Sequence, residues 1–396
     1  MTMAKIRRGW AVAAVAAVGL LAAAGCSDSK SAEADKVVAI GVISPQVAGL
    51  TDFGQGILHS VELAVAEANA SGAVPGWTLK VVALDDSSNG EIGTAAAAKM
   101  VANEQVVAVV GPYNSGVSAA MLPTLEAGNL ALVNGSNTLT SLTLGDSMAS
   151  PKRQFSNYVR LVGADDKQGK FLAEVALARG FKKAAVVSET KAVSKDLADI
   201  FAGAFEAGGG TVAVRTVVPD AATDLSAFVA EAVAAGPDVV FIGGEYPVAA
   251  ALRKQAAAAG LNVTLMGGDG IKDDALIAQA GAAAEGVLAS SVGLPIAKFP
   301  KGAEFQAAYD KAGFPHPSSA YGPYAYDAAN LIIGLLPGLL KEAGTPLAAR
   351  SALVAALLGA TYEGVTGKVA FDEFGDTKYP VFTLYVVKDG AWTVVD

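Results

Sequence analysis

The feature that most constrains the fold is a repeated alternation between short β-branched runs and longer Ala-rich segments. Strand-like runs occur at residues 37–43, 79–84, 106–110, 130–133, 184–187, 212–217, 239–242 and 263–266. After the first run, one helical face would hold Ile57, Val61, Ala64, Val65 and Ala68. Near-continuous apolar strands that alternate with helices are typical of parallel sheets covered on both faces. The sequence therefore predicts an α/β fold.

The alternation repeats in two halves, one before about Gly163 and one after it. Helical segments at residues 171–179 and 197–207 end at glycines in the second half. From Tyr321 onward the sequence predicts two helices, at 326–336 and 346–358, and then strands at 368–371 and 381–387. Because these final elements are too few for a third domain, we predict that they complete a lobe.

The N-terminus has the features of an export signal. Lys5, Arg7 and Arg8 precede an apolar stretch at residues 10–24, which is shorter than a membrane span and leads into Cys26. Small residues before a cysteine resemble the bacterial lipoprotein signal, although Ala23 stands where Leu is usual. We predict a signal peptide at 1–25, a lipid on Cys26 and a flexible tether at 26–36. The alternative is that Cys26 is incidental to an ordinary secretory signal.

Composition excludes several classes of protein. Cys26 is the only cysteine, so the chain forms no internal disulfide, no cysteine-based zinc site and no other cysteine nucleophile. A formal charge of −9 argues against nucleic-acid binding, which depends largely on Lys and Arg. With 52% hydrophobic residues, the exported chain has enough apolar material to fold around a core instead.

Polar loops follow the strands where an open parallel sheet binds its ligand, beyond the carboxyl ends. In the first half, the loops 111–116 and 134–138 are rich in hydroxyls and small residues, and a helix begins beside the first loop. Such loops suit a carboxylate, which accepts N–H and O–H bonds and is favoured at a helix N-terminus.

The corresponding loops of the second half have different chemistry. The loops 243–247 and 267–270 contain Glu245, Tyr246 and Asp269, which suit a cation. A zwitterion that bridges the two halves would satisfy both sites. Taken singly, the small polar residues in these loops are also ordinary turn and capping residues, so this interpretation depends on all four loops meeting at one crevice.

These loops give the chain a family resemblance. Over nearly its whole length after the signal it resembles the leucine/isoleucine/valine-binding proteins, the type I periplasmic binding proteins of ABC importers. The matching segments are residues 41–45, 53–54, 84–86, 110–112 with Ser115, Arg160, Asp165, Gln168 and Gly169, 243–244 with Pro247, 266–270, 324–328 and 364–367. The sequence departs from the pattern at Val193 and Glu245, where relatives often have Tyr.

The resemblance implies roles for the loop residues. Ser115 would bind the α-carboxylate of the ligand, assisted by Thr138 and the backbone of Ser136 and Asn137. Asp269 would hold the α-ammonium, and Phe53 would close over the ligand. The full set of predicted ligand-binding residues is Phe53, Tyr113, Asn114, Ser115, Ser136, Asn137, Thr138, Glu245, Tyr246 and Asp269.

The resemblance also implies the architecture: two doubly wound parallel-sheet lobes joined by a three-strand hinge. Crossings near Gly163, Val292 and Gly367 would place residues 37–162 and 293–366 in the N-terminal lobe. Residues 163–292 and 367–396 would then form the C-terminal lobe. Closure of the lobes around the solute would add together contacts that neither lobe makes alone.

The function that follows is capture of an amino acid, branched-chain or related, for an ABC importer. We expect an extracytoplasmic, lipid-anchored monomer that contacts permease subunits and needs no metal or cofactor. The ligand alternatives are an amide, a urea or a small aromatic acid, and the chain could instead present its ligand to a separate signalling receptor. An enzyme is not expected, because His59 and His316 are the only histidines and no catalytic motif appears.

Overall fold

The computed structural model describes residues 36–47 and 50–395. From Lys36 onward these residues form one compact unit. The predicted signal peptide, the predicted lipid on Cys26 and all of the predicted tether except Lys36 lie outside the described residues.

Strands and helices alternate along most of the described chain. The strands are β1 Val37–Ser44, β2 Thr78–Asp85, β3 Val106–Val110, β4 Ala131–Asn134, β5 Tyr158–Arg160, β6 Lys183–Glu189, β7 Thr211–Val218, β8 Val239–Gly243, β9 Thr264–Gly267, β10 Leu288–Val292, β11 Thr361–Glu363, β12 Lys368–Ala370, β13 Phe382–Lys388 and β14 Ala391–Val394. The α-helices are α1 Thr51–Ser71, α2 Gly90–Ala102, α3 Ser115–Ala127, α4 Ser141–Leu144, α5 Asp165–Ala178, α6 Ala192–Ala207, α7 Ser226–Ala235, α8 Tyr246–Ala258, α9 Asp274–Ala280, α10 Gly302–Ala312, α11 Gly322–Ala343 and α12 Pro346–Leu357.

The first sheet has the strand order β2-β1-β3-β4-β5, and every neighbouring pair is parallel. The strands β1, β3 and β4 are buried throughout or nearly so, as their continuous apolar runs predict. The chain order reverses between β1 and β3, with β2 on one side and β4 on the other. A sheet of this kind binds ligands at such a reversal, beyond the carboxyl ends of the strands.

The second sheet has the order β14-β13-β10-β9-β8-β6-β7, and its order reverses between β6 and β8. The strands from β7 to β10 are parallel, whereas β13 pairs antiparallel with β10 and β14 antiparallel with β13. The predicted α/β fold with two parallel-sheet lobes is thus confirmed, with a hairpin at one edge of the second sheet.

The two strands predicted near the C-terminus, at 368–371 and 381–387, belong to different sheets. Strand β12 pairs with β11 in a separate two-stranded sheet. The chain enters the second sheet only at Phe382, where β13 begins. Between them, Gly375 accepts a backbone hydrogen bond from Arg160, the last residue of the first sheet. The lobe boundaries given above, including the crossing near Gly367, stay a prediction.

The core is built from the apolar faces of the helices against the sheets. One face of α1 buries Ile57, Val61, Ala64, Val65 and Ala68, the residues that helical spacing selected. Helix α1 ends at Ser71 and is capped by Gly72, whose φ of 66° is the left-handed conformation that favours glycine. No helix in the described part of the chain is both long and apolar enough to cross a membrane.

Candidate functional site

Four strand ends and the start of α6 line a cavity of about 50 Å³ between the two sheets. Since a single water needs about 10–15 Å³ of such space, the cavity is larger than one water site. The lining residues are Tyr113, Asn114, Ser115, Ser136, Thr138, Val193, Ser194, Leu197, Gly244, Glu245, Asp269 and Gly270. Seven of the ten predicted ligand-binding residues are in this set; Phe53, Asn137 and Tyr246 are not.

Ser115 lies at the first residue of α3, where the positive end of the helix dipole meets the cavity. Its Oγ accepts hydrogen bonds from the backbone N–H groups of Thr138 and Leu139, each at 3.3 Å. Because both bonds are accepted, the hydroxyl hydrogen of Ser115 stays available for donation. This end of the cavity therefore offers a donor and a favourable potential to an anion.

Two buried asparagines hold the loops around Ser115. Asn134 Nδ2 donates to the carbonyl oxygens of Gly111 and Pro112, both at 2.9 Å. Asn137 Nδ2 donates to the carbonyl oxygen of Tyr113 at 2.8 Å, and its Oδ1 accepts from Ser118. Because the Asn137 side chain is held by these hydrogen bonds to the neighbouring loop and helix, it does not line the cavity.

Gly111 is required at this turn for two reasons. Its φ is 96°, which side chains rarely adopt, and a Cβ would lie 2.1 Å from the carbonyl oxygen of Ile43. The close approach of the loop to β1 sets the position of the residues that follow.

Asp269 faces the same cavity from the second sheet, directly after β9. Its Oδ1 accepts from Gln168 Nε2 at 2.9 Å, and its Oδ2 accepts from the Tyr321 hydroxyl at 2.7 Å. Burial raises the pKa of Asp269, although these two hydrogen bonds oppose the rise. The backbone N–H groups of Asp269 and Gly270 also form hydrogen bonds with this carboxyl group, which lines the cavity.

Glu245 lines the cavity too, but its charge is already paired. Its Oε2 lies 2.5 Å from Lys191 Nζ, and its Oε1 accepts from Asn114 Nδ2 at 2.8 Å. Burial raises the pKa of Glu245, and Lys191 opposes that rise. Of the two acids predicted to attract a cation, Asp269 is the one that forms no ion pair with another described residue.

The predicted aromatic residues pack together beside the cavity. The Phe53 ring centroid lies 4.7 Å from that of Tyr113, 5.8 Å from that of Tyr246 and 5.2 Å from that of Tyr321. Only Tyr113 of this group lines the cavity. Phe53 of α1 and Tyr246 at the start of α8 contact each other and form an aromatic wall next to the cavity.

Several site residues were not among the ten predicted ligand-binding residues. Val193, Ser194 and Leu197 line the cavity because α6 begins at Ala192, five residues earlier than the predicted start. Gln168 and Tyr321 contact Asp269 from 101 and 52 residues away. Helical spacing in the sequence indicates the buried face of α6. The contacts of Gln168 and Tyr321 with Asp269 span too many residues to leave any periodic pattern in the sequence.

The two histidines lie apart from the cavity, as structural roles would require. His59 is buried on α1 and stacks on Phe314 at 4.6 Å, and His316 Nδ1 lies 2.8 Å from Asp52 Oδ1. Within residues 36–47 and 50–395, no group of three or more His, Cys, Asp or Glu side chains could hold a metal ion.

Comparisons with known proteins agree on the family. A family model described as periplasmic binding protein matches residues 37–391. The Leu/Ile/Val-binding protein homolog 1 of Brucella melitensis is 30% identical over 378 residues, which cover 94% of this chain and 96% of that protein. The Leu/Ile/Val-binding protein BraC3 of Rhizobium johnstonii is 29% identical over 351 residues, covering 88% and 91%.

The fold comparison gives the same result. The crystal structure of a leucine binding protein from Thermotoga maritima matches with a TM-score of 0.78 at 25% identity, covering 91% of this chain and 98% of that one. Members of the family bind small-molecule solutes outside the cytoplasm, are not enzymes and work with ABC transporter permeases. The chain belongs to the periplasmic binding protein family and is a type I member of the Leu/Ile/Val-binding-protein kind.

Proposed function

We propose that the protein captures an amino acid, branched-chain or related, in the cavity between its two sheets and delivers it to an ABC permease. The observation that carries the proposal is the placement of Ser115 and Asp269 on one cavity from opposite sheets. Ser115 and the start of α3 suit an α-carboxylate, and Asp269 suits an α-ammonium.

The walls between these polar ends favour an apolar side chain. Val193 and Leu197 of α6 line the cavity together with Tyr113. Burying the side chain of a Val, Leu or Ile ligand contributes about 1.5–3 kcal/mol, and each charge-assisted hydrogen bond a similar amount. Because micromolar binding needs about −8.2 kcal/mol after the costs of association, contacts from both lobes are needed together. The names of the Brucella and Rhizobium relatives point to the same ligand class.

Within this proposal, eight of the ten predicted ligand-binding residues have unequal roles, and Asn114 and Glu245 pair with each other. Ser115, Ser136, Thr138 and Asp269 contact the charged groups of the ligand, and Tyr113 contacts its side chain. Phe53 and Tyr246 support the aromatic wall, and Asn137 supports the loop by its hydrogen bonds.

A thermal-shift panel tests the proposal. Leucine, isoleucine and valine at about 100 times their dissociation constants are expected to stabilise the protein by about 2.7 kcal/mol, a shift of several degrees. The matched controls are 4-methylpentanoic acid, which lacks the ammonium, and 3-methylbutylamine, which lacks the carboxylate; neither should shift the melting temperature. A shift caused only by amides, urea or small aromatic acids would show that a different solute occupies the cavity.

We also propose that a lipid on Cys26 anchors the exported protein to the membrane. The support is the sequence alone, since small residues precede the only cysteine of the chain. In the expressing bacterium, Cys26→Ser is expected to move nearly all of the protein from the membrane fraction to the soluble fraction. Immunoblots of the two fractions measure this change, with Ser27→Ala as the control. Retention of the Cys26→Ser variant in the membrane would exclude acylation as the anchor.

A further inference from the structure

A hydrogen bond joins the two sheets beside the cavity. Asn114 follows β3 of the first sheet, and Glu245 follows β8 of the second, 131 residues later. The distance from Asn114 Nδ2 to Glu245 Oε1 is 2.8 Å. Since the two residues belong to different sheets, this bond exists only while the sheets are this close.

The acceptor of this bond is held rigidly from its own side. Besides the contact of its Oε2 with Lys191, Glu245 donates its backbone N–H to Glu189 Oε2 at 2.6 Å. Lys191 Nζ also lies 3.7 Å from Glu189 Oε1. Glu245 is therefore an acceptor that Lys191 and Glu189 hold in a fixed place, and a hydrogen bond to a carboxyl group paired with a cation is among the stronger ones.

Asn114, the donor, makes no capping hydrogen bond to its own helix and instead bonds Glu245. Asn114 is the N-cap of α3, where an asparagine side chain ordinarily accepts an N–H bond from the first turn. Here it makes no such bond, and its Oδ1 is buried without a partner among the described residues. The opposite amide orientation would place Oδ1 against the Glu245 carboxylate, so the neighbouring charge fixes Nδ2 as the group that faces it.

We propose that Asn114 and Glu245, with Lys191 behind them, form an interlobe latch that raises ligand affinity by stabilising the closed state. They are positioning residues in this role, which rests on the proposed capture of the ligand by lobe closure. The latch is expected to contribute the same factor to every ligand, because its hydrogen bond joins residues that follow strands of the two sheets.

Exchanging donor and acceptor tests the latch. Asn114→Asp places two carboxylates against each other and is expected to weaken binding of leucine about 10- to 100-fold. Glu245→Gln keeps an acceptor for Asn114 but loses the charge, and about a 3- to 10-fold loss is expected. In the double variant, the amide introduced at position 245 can donate to the carboxylate introduced at position 114, so affinity should recover to within about 5-fold of the wild type. Calorimetry measures all four proteins.

Two further variants separate the latch from helix capping. Asn89 is the exposed N-cap of α2, and its side chain accepts from the first turn of its own helix, so Asn89→Asp should leave affinity unchanged. Asn114→Ser keeps a good N-cap residue that is too short to reach Glu245. It is expected to bind leucine about 10-fold more weakly and to remain folded even where Asn114→Asp is unstable.

Closure of the free protein gives a readout that needs no ligand. In a Cys26→Ser background, dyes attached to Ile92→Cys on α2 and Val233→Cys on α7 report the distance between the lobes; both positions are exposed. Asn114→Asp should shift the unliganded protein toward the longer distance, and the double variant should reverse the shift.

Three results would overturn the latch. One is a double variant that binds no better than the weaker single variant, and another is an unchanged dye distance in Asn114→Asp. The third is a loss that differs more than about 3-fold among valine, leucine and isoleucine, which would indicate a direct ligand contact. If no amino acid binds at all, the proposed function fails, and the dye distances alone still decide on the latch.

Discussion

Asp269→Asn is expected to weaken binding of an amino-acid ligand by about 100-fold, on the order of 3 kcal/mol. The substitution keeps the shape of the side chain and removes the charge that would hold the α-ammonium. The Tyr321 hydroxyl can still donate to the oxygen of the new amide. Gln168 Oε1, which is buried without a partner among the described residues, can accept from its nitrogen after the Gln168 amide turns over. Calorimetry of wild type and variant with leucine measures the change.

Folding should not suffer from this substitution. Because burial raises the pKa of Asp269, the buried carboxylate of the free protein carries a desolvation cost. A neutral amide removes that cost, so the melting temperature of the ligand-free variant should be equal to or above that of the wild type. Asp273→Asn is the matched control, since Asp273 caps α9 through Ala275 N–H and does not line the cavity. Its affinity should stay within about 2-fold.

The pH dependence of binding has a definite sign. An ammonium group beside Asp269 favours its ionised form, whereas burial raises the pKa of Asp269 in the free protein. Binding therefore releases a proton, and affinity should fall as the pH is lowered through that raised pKa. The Asp269→Asn variant should lose this part of the dependence. An Asp269→Asn affinity equal to that of the wild type would remove Asp269 from the binding site.

The strands that the sequence predicted best are those buried on both faces. Strands β3 and β8 are five-residue buried runs, and the pattern identified both to within one residue. The short strands β5 and β14 were missed: β5 has three residues and ends in Arg160, and β14 has four residues that are mostly exposed, so neither forms a continuous apolar run. Strand β10 was also missed: it contains Ser290 and Ser291, which interrupt its apolar character although both are buried.

The cavity was located from strand ends, but its pairings depend on the fold. Residues after β3, β4, β8 and β9 converge because carboxyl ends of parallel strands share one edge, a rule that needs only the strand positions. The pairing of Glu245 with Lys191 joins residues 54 positions apart, and no local pattern encodes it. From the chemistry of the loops alone, Glu245 and Asp269 both suited a cation; the structure pairs Glu245 with Lys191, whereas Asp269 forms no ion pair with another described residue.

Arg160 shows how the loop at the anion end is held, and its removal should have the largest effect on stability. The Arg160 side chain is fully buried, and its Nε lies 2.5 Å from Asp376 Oδ1. Its Nη1 donates to the carbonyl oxygen of Leu139 at 2.8 Å, and its Nη2 donates to Thr143 Oγ1 at 2.6 Å. One side chain thus ties the loop that carries Thr138 to the segment that precedes β13.

Arg160→Met is expected to lower the free energy of unfolding by about 3–5 kcal/mol, because it leaves the Asp376 carboxylate buried without a counter-charge. Urea denaturation measures this loss. Adding Asp376→Asn removes the uncompensated charge, so the double variant should recover at least about 1 kcal/mol over Arg160→Met alone. Leucine affinity should stay about 10-fold reduced in both variants, since neither restores the bonds that hold the loop at Thr138. Stability recovered together with full affinity would show that Arg160 supports the fold and does not position the ligand loop.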